Sequence, residues 1–131
     1  MAKTAEHYLG VAKKHLVKVQ DAWDEPTDWA DLTMYGLYCI ESCVIAASQH
    51  AGLDLKHRTK HWGKSKLAKK LHEDHGLPDV EDLMEDLNDG RKAEAYGDED
   101  FEEDDFNAED VASDIERYVS AVEAFLAGGT S

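Results

Sequence analysis

Apolar residues recur along most of the chain at spacings of three and four, the period of an amphipathic helix, and no stretch alternates with the period of two expected of a half-buried strand. Five helices are predicted. The first runs from Thr4, a hydroxyl N-cap, to Trp23, with Tyr8, Ala12, Leu16, Val19 and Trp23 as its inward stripe. DEPTDWAD breaks and restarts the helix, with Thr27 or Asp28 as cap and Asp28 and Asp31 at the positive end of the dipole. The second extends to about Ala51 and stops at Gly52. Its LTMYGLYCIESCVIAA is apolar almost all round, the pattern of a central helix covered by its own domain and by a partner subunit, with Glu41 in the middle of the run. A short third helix covers Trp62 to His75 and closes at Gly76; the fourth begins in LPDVEDLMEDL, where Asp79 caps and Asp82 follows three later, and continues through Arg91 to about Tyr96. The fifth starts near Asn107 and ends before Gly128, with Val111, Ile115, Tyr118, Val122 and Phe125 as its stripe.

Short connections between such helices favour antiparallel neighbours, so the predicted fold is all-α: an up-down bundle in which helices one, two, four and five make the core and the third is an insertion. With 131 residues, the chain is sized for one domain, 1–127, with an acidic loop at 98–107 and a flexible tail at 128–131. Cys39 and Cys43, four apart in an apolar run, read as small buried hydrophobes rather than a metal or redox pair. No apolar run is expected to approach the ~20 residues of a membrane span. MAKTAEHYLG lacks the apolar core of a signal peptide, and a cytoplasmic protein is expected.

The formal net charge of −15 argues against indiscriminate nucleic-acid binding, but it is unevenly spread. Residues 1–75 hold 11 Lys/Arg and 10 Asp/Glu, whereas residues 76–131 hold 3 and 19. Eleven lysines against three arginines fit poorly with halophilic adaptation as the cause. The basic residues concentrate in LKHRTKHWGKSKLAKKLHEDH, residues 55–75, with seven Lys/Arg, four histidines and Trp62. Lys60, Lys64 and Lys66 there suit phosphate, and Trp62 suits a stacked base; the plainer reading is a solvated face balancing the acidic half.

Arg91 is the second candidate. It follows Val80, Leu83 or Met84, and Leu87 at helical spacing and precedes Ala95, so it continues an apolar stripe. A guanidinium cannot shed its charge and is costly there unless paired. It is either half of a structural ion pair with Glu41, or an anion site at the bundle surface or subunit seam, and the two roles are compatible. His57 with His61, and His72 with His75, have the spacing of ligands on one helical face, but no third ligand stands at a telling distance, so no metal and no cofactor is called. The acidic loop has hard oxygen ligands without the spacing of a calcium loop; Phe101 and Phe106 are expected to pin it to the bundle.

The long first two helices, the apolar run of the second helix with its one acid, Glu41, and LPDVEDLMEDLNDGRKAEAYGD together resemble the HEPN family over most of the chain. The resemblance implies an antiparallel helical bundle that homodimerises. It also implies a setting in toxin–antitoxin or antiviral defence systems, with a nucleotidyltransferase or another defence protein as partner. The family signature is an arginine, four to six residues, then histidine. Arg91 matches the arginine; Tyr96 stands at the histidine position and no histidine follows. Tyrosine, with an ordinary pKa of about 10, is a poor general base at neutrality. The expectation is therefore a dimeric module that binds RNA, a nucleotide or a protein through Glu41, Arg91, Tyr96, Lys60, Trp62, Lys64 and Lys66. The alternative is a metal-independent ribonuclease using Arg91 and Tyr96.

Overall fold

A computed structural model describes residues 4–23, 28–56, 58–96 and 108–128, the side chains of residues 61 and 91–96 excepted. It contains α1 (Ala5–Ala22), α2 (Trp29–His50), α3 (His61–His75), α4 (Glu81–Tyr96) and α5 (Ala108–Leu126), and no strand among the described residues. The chain is an all-α helical bundle.

Helix ends are set by local chemistry. Thr4 Oγ1 accepts the His7 N–H at 3.1 Å, and Asp28 Oδ1 accepts the Asp31 N–H at 3.0 Å, each satisfying an otherwise orphaned donor in a first turn. Gly52 and Gly76 follow α2 and α3 with φ of 75° and 74°, left-handed conformations that cost a residue with a Cβ about 1–2 kcal/mol. Asp79 accepts from the N–H of Glu81, two residues on, so its bond is local to the turn that leads into α4.

α2 is the central element and packs against the other four helices. Ala12 and His15 of α1 lie beside Cys39 and Tyr35 of α2, numbers that run in opposite directions, so the two are antiparallel. Gly36 approaches Ile115 and His50 meets Phe125, so α5 runs parallel to α2, as a diagonal member of an up-down bundle does. α3 departs from the expected alternation. Lys64 lies beside Glu41, and His75 shares Phe125 with His50, so α3 also runs parallel to α2, its predecessor in the chain. The chain thus returns along the bundle between the end of α2 and the start of α3.

The core is one cluster drawn from all five helices. In α1 the buried line is Ala5, Leu9, Ala12, Val19 and Ala22, while Tyr8, Leu16 and Trp23, expected inside, are only partly covered at its flanks. Small residues of α1 and α2 lie deep in the core: Ala12, Ala46 and Ala47 have no exposed surface. In α5 the stripe of Val111, Ile115, Tyr118 and Val122 is buried, with Phe125 at its edge. Cys39 and Cys43 are free thiols inside this core. The Cys39 thiol donates to the Ala12 carbonyl at 3.2 Å, and its hydrogen bond with Cys43, followed by burial, holds the Cys43 thiol well above its usual range.

By length and a mean hydropathy of 1.2, α2 meets the measure of a membrane-crossing helix, which no run was expected to approach; 61% of its apolar window is buried by its own chain. What remains on its outer side is an uncharged, partly exposed row: Met34, Tyr35, Tyr38, Ser42 and Ile45. The expectations for the 98–107 loop, for Phe101 and Phe106, for Thr27, for His57 and for the tail beyond Gly128 fall outside the described residues.

Candidate nucleic-acid interface

α3 lies on the bundle by Leu67, Ala68 and Leu71 and turns Lys66, Lys69 and Lys70 outward. Lys60 is its exposed N-cap residue and makes no side-chain cap bond. Trp62 is 50% exposed, a large surface for a tryptophan, and the Lys66 ammonium, four residues on, lies 5.4 Å from its ring centroid. The indole separates two depressions, and Lys66 lines both. One, of about 290 Å³, is bordered by Lys56, Lys66, Lys70 and Asp54. The other, of about 450 Å³, opens between α3 and α4 and is bordered by Glu41, Ser65, Glu81, Asp82 and Glu85. Opposite charge thus faces the two sides of one aromatic ring.

Glu41 is 4% exposed, and its carboxylate lies 3.4 Å from the Lys64 ammonium, itself largely covered. Lys64 is a partner that the sequence did not single out for Glu41, whereas the expected pairing with Arg91 rests on a side chain outside the described residues. The signal for Lys64 lies in the register of α2 against α3, which no spacing within either helix reveals. A buried charge of this kind is tolerated because it is paired, and breaking such a pair from one side costs about 3–5 kcal/mol when nothing replaces the partner. Arg91 and Tyr96 fall within α4, Arg91 one turn beyond Leu87, but their side chains lie outside the described residues. Of the residues proposed from sequence, the fold therefore gathers Glu41, Trp62, Lys64 and Lys66 around the α2–α3–α4 junction, and places Lys60 one turn before Lys64 at the start of α3.

Of the histidines proposed as pairs, His72 and His75 have structural contacts. The His72 Nδ1–H donates to the Leu77 carbonyl at 2.8 Å, tying the end of α3 to the next turn. His75 and His50 pack their rings on Phe125, at centroid distances of 5.7 and 5.1 Å. None of the described side chains lining either depression is a histidine. Next to the cleft, Asp86 rims an apolar hollow of Trp29, Leu32, Leu83 and Val111. Burial first, and then the charges of Asp82, Asp89 and Glu85, hold its carboxyl above the ordinary aspartate range.

Chemically, the lysine-lined side offers mobile cationic donors suited to phosphate oxygens, and the indole offers a stacking surface. The carboxylate-lined side repels phosphate and accepts N–H donors. No family model, curated protein or solved structure matches the chain, so the HEPN resemblance rests on the sequence features alone.

Proposed function

We propose that the protein is a HEPN-like helical module that binds single-stranded RNA along the outer face of α3, in the toxin–antitoxin or defence setting that its sequence resemblance implies. The observation that carries this reading is the half-exposed Trp62 standing between Lys56, Lys66 and Lys70 on one side and an open cleft on the other. Stacking on an aromatic platform contributes about 1–3 kcal/mol per base without regard to base identity, and neighbouring ammonium groups hold the backbone. The acidity of the rest of the chain supports a local footprint, because a formal charge of −15 repels a polyanion everywhere except at the basic face. Binding rather than cleavage is favoured, since Tyr96, of a residue type that is a poor general base at neutrality, stands at the position of the signature histidine.

Fluorescence anisotropy with a short labelled RNA tests the reading. The parent protein should bind at low salt. Three phosphate contacts should give a log–log salt slope of about −2, since each contributes about 0.7 on a single strand. Lys66→Glu with Lys70→Glu should remove most of the affinity, and Trp62→Ala should lower it by the stacking term. Unchanged binding in these variants, or no binding by the parent at low salt, overturns the proposal. The same mixtures run on a denaturing gel test the ribonuclease alternative: loss of full-length RNA that disappears with Arg91→Ala would assign cleavage instead.

A further inference from the structure

Building on the RNA reading, we infer that the α3–α4 cleft selects the base of the nucleotide held at Trp62, and that it prefers guanine. The cleft and the lysine groove are not two independent sites: they share Trp62 and Lys66, so a nucleotide lying across the indole puts its phosphate on one side and its base on the other. The phosphate goes to Lys56, Lys66 and Lys70. The carboxylates of Glu81, Asp82 and Glu85 exclude it from the cleft, which leaves that space, about 450 Å³, to the uncharged base. A cavity of this size is in the range that holds small ligands, commonly about 300–1,000 Å³.

What the cleft can accept follows from its atoms. Glu81 and Glu85 are four apart on α4, so they stand on one face of the helix, towards Trp62 and Ser65 of α3. A carboxylate only accepts hydrogen bonds, through two oxygens spaced to take a pair of parallel donors. Guanine presents such a pair, N1–H and the N2 amino group, on its Watson–Crick edge. Adenine and cytosine each set a single amino donor beside an unprotonated ring nitrogen, and uracil flanks its one N–H with two carbonyl oxygens, which a carboxylate repels. Guanine alone satisfies both oxygens of Glu85 without a repulsive neighbour, and the Ser65 hydroxyl across the cleft supplies a donor for its O6. Lys66 links the halves: an ammonium that leaves the indole face for the phosphate uncovers that face for the base.

Isothermal titration of the full chain with the monophosphates of guanosine, inosine, adenosine, cytidine and uridine tests the inference. Guanosine monophosphate should bind roughly 5- to 150-fold more tightly than the adenosine and uridine nucleotides, the discrimination of one bidentate pair. Inosine monophosphate, which lacks only the N2 amino group, should lose most of that advantage. Glu81→Gln with Glu85→Gln should collapse the preference, so that the guanosine and uridine monophosphates bind alike, and Lys66→Met should weaken all five. If the nucleotides bind alike, or inosine equals guanosine, the base preference is wrong while the RNA-binding reading survives. If neither RNA nor any nucleotide binds, both are wrong.

Discussion

Gly36 stands inside α2, where glycine costs about 1 kcal/mol relative to alanine, and its presence needs a reason. The reason is proximity. A Cβ at this position would lie 2.9 Å from Ile115 Cδ1 and 3.4 and 3.6 Å from the two Leu87 methyls. Carbon atoms rest at about 3.5–4.0 Å, so α4 or α5 must give way to admit a methyl group. Ile115 and Leu87 are both buried, so neither end can swing into solvent. Overpacking of this kind costs about 1–3 kcal/mol, and the helix-propensity gain of about 1 kcal/mol offsets part of it. Gly36→Ala is therefore expected to destabilise by up to about 2 kcal/mol. Ile115→Val removes the Cδ1 atom that makes the tightest approach and by itself should cost about 0.5–1.5 kcal/mol. In the double variant the new methyl occupies the vacated space. The two changes should fall short of additivity by about 1–2 kcal/mol, well outside the ~0.5 kcal/mol seen for independent sites. Urea unfolding followed by far-ultraviolet circular dichroism measures all four proteins. Stabilisation by Gly36→Ala equal to the full propensity gain, or strict additivity in the double variant, would refute the packing argument.

Tyr118 has no exposed surface, and among the described residues its hydroxyl has no hydrogen-bond partner; burial first, then the neighbouring Cys43, push its ionisation far above the ordinary range. Tyr118→Phe should leave stability unchanged or raise it by about 1 kcal/mol, and a loss of 2 kcal/mol in the same urea assay would show that the hydroxyl is satisfied. Because the folded protein holds the Asp86 proton more tightly than the unfolded chain does, the charged form opposes folding, and stability falls as pH rises through the carboxylate range. Asp86→Asn should melt higher than the parent at neutral pH, with the difference vanishing below about pH 4; an equal shift at both pH values would contradict the sign. Cys39 and Cys43 should resist a thiol reagent in the native protein and react together on unfolding, and rapid labelling of both while folded would contradict their burial. The homodimer implied by the family resemblance should scatter light as about twice the chain mass of 14.6 kDa at micromolar concentration, and the monomer mass there would dismiss it.

Helix limits were legible in the sequence because caps and stops act over a few residues. Thr4 and Asp28 bond to backbone three residues on, and Gly52 and Gly76 adopt the one conformation that suits them after a helix end. The number of helices and the membership of the core followed from periodicity for the same reason. Which residues of α1 face inward did not, because hydrophobicity marks Tyr8, Leu16 and Trp23 as strongly as Leu9, whereas the packing of whole helices buries the line of Leu9, Ala12 and Val19 and leaves the larger side chains at its flanks. The candidate interface divides in the same way. The basic segment and its tryptophan were plain in the composition of residues 55–75, and so was the oddity of an acid at position 41. That Lys64 reaches Glu41, and that Trp62 stands between a lysine groove and a carboxylate cleft, depends on α3 lying parallel to α2 with α4 alongside. Such register is settled by how whole helical surfaces fit together. It brings into contact residues more than twenty positions apart, and no spacing within one helix records it.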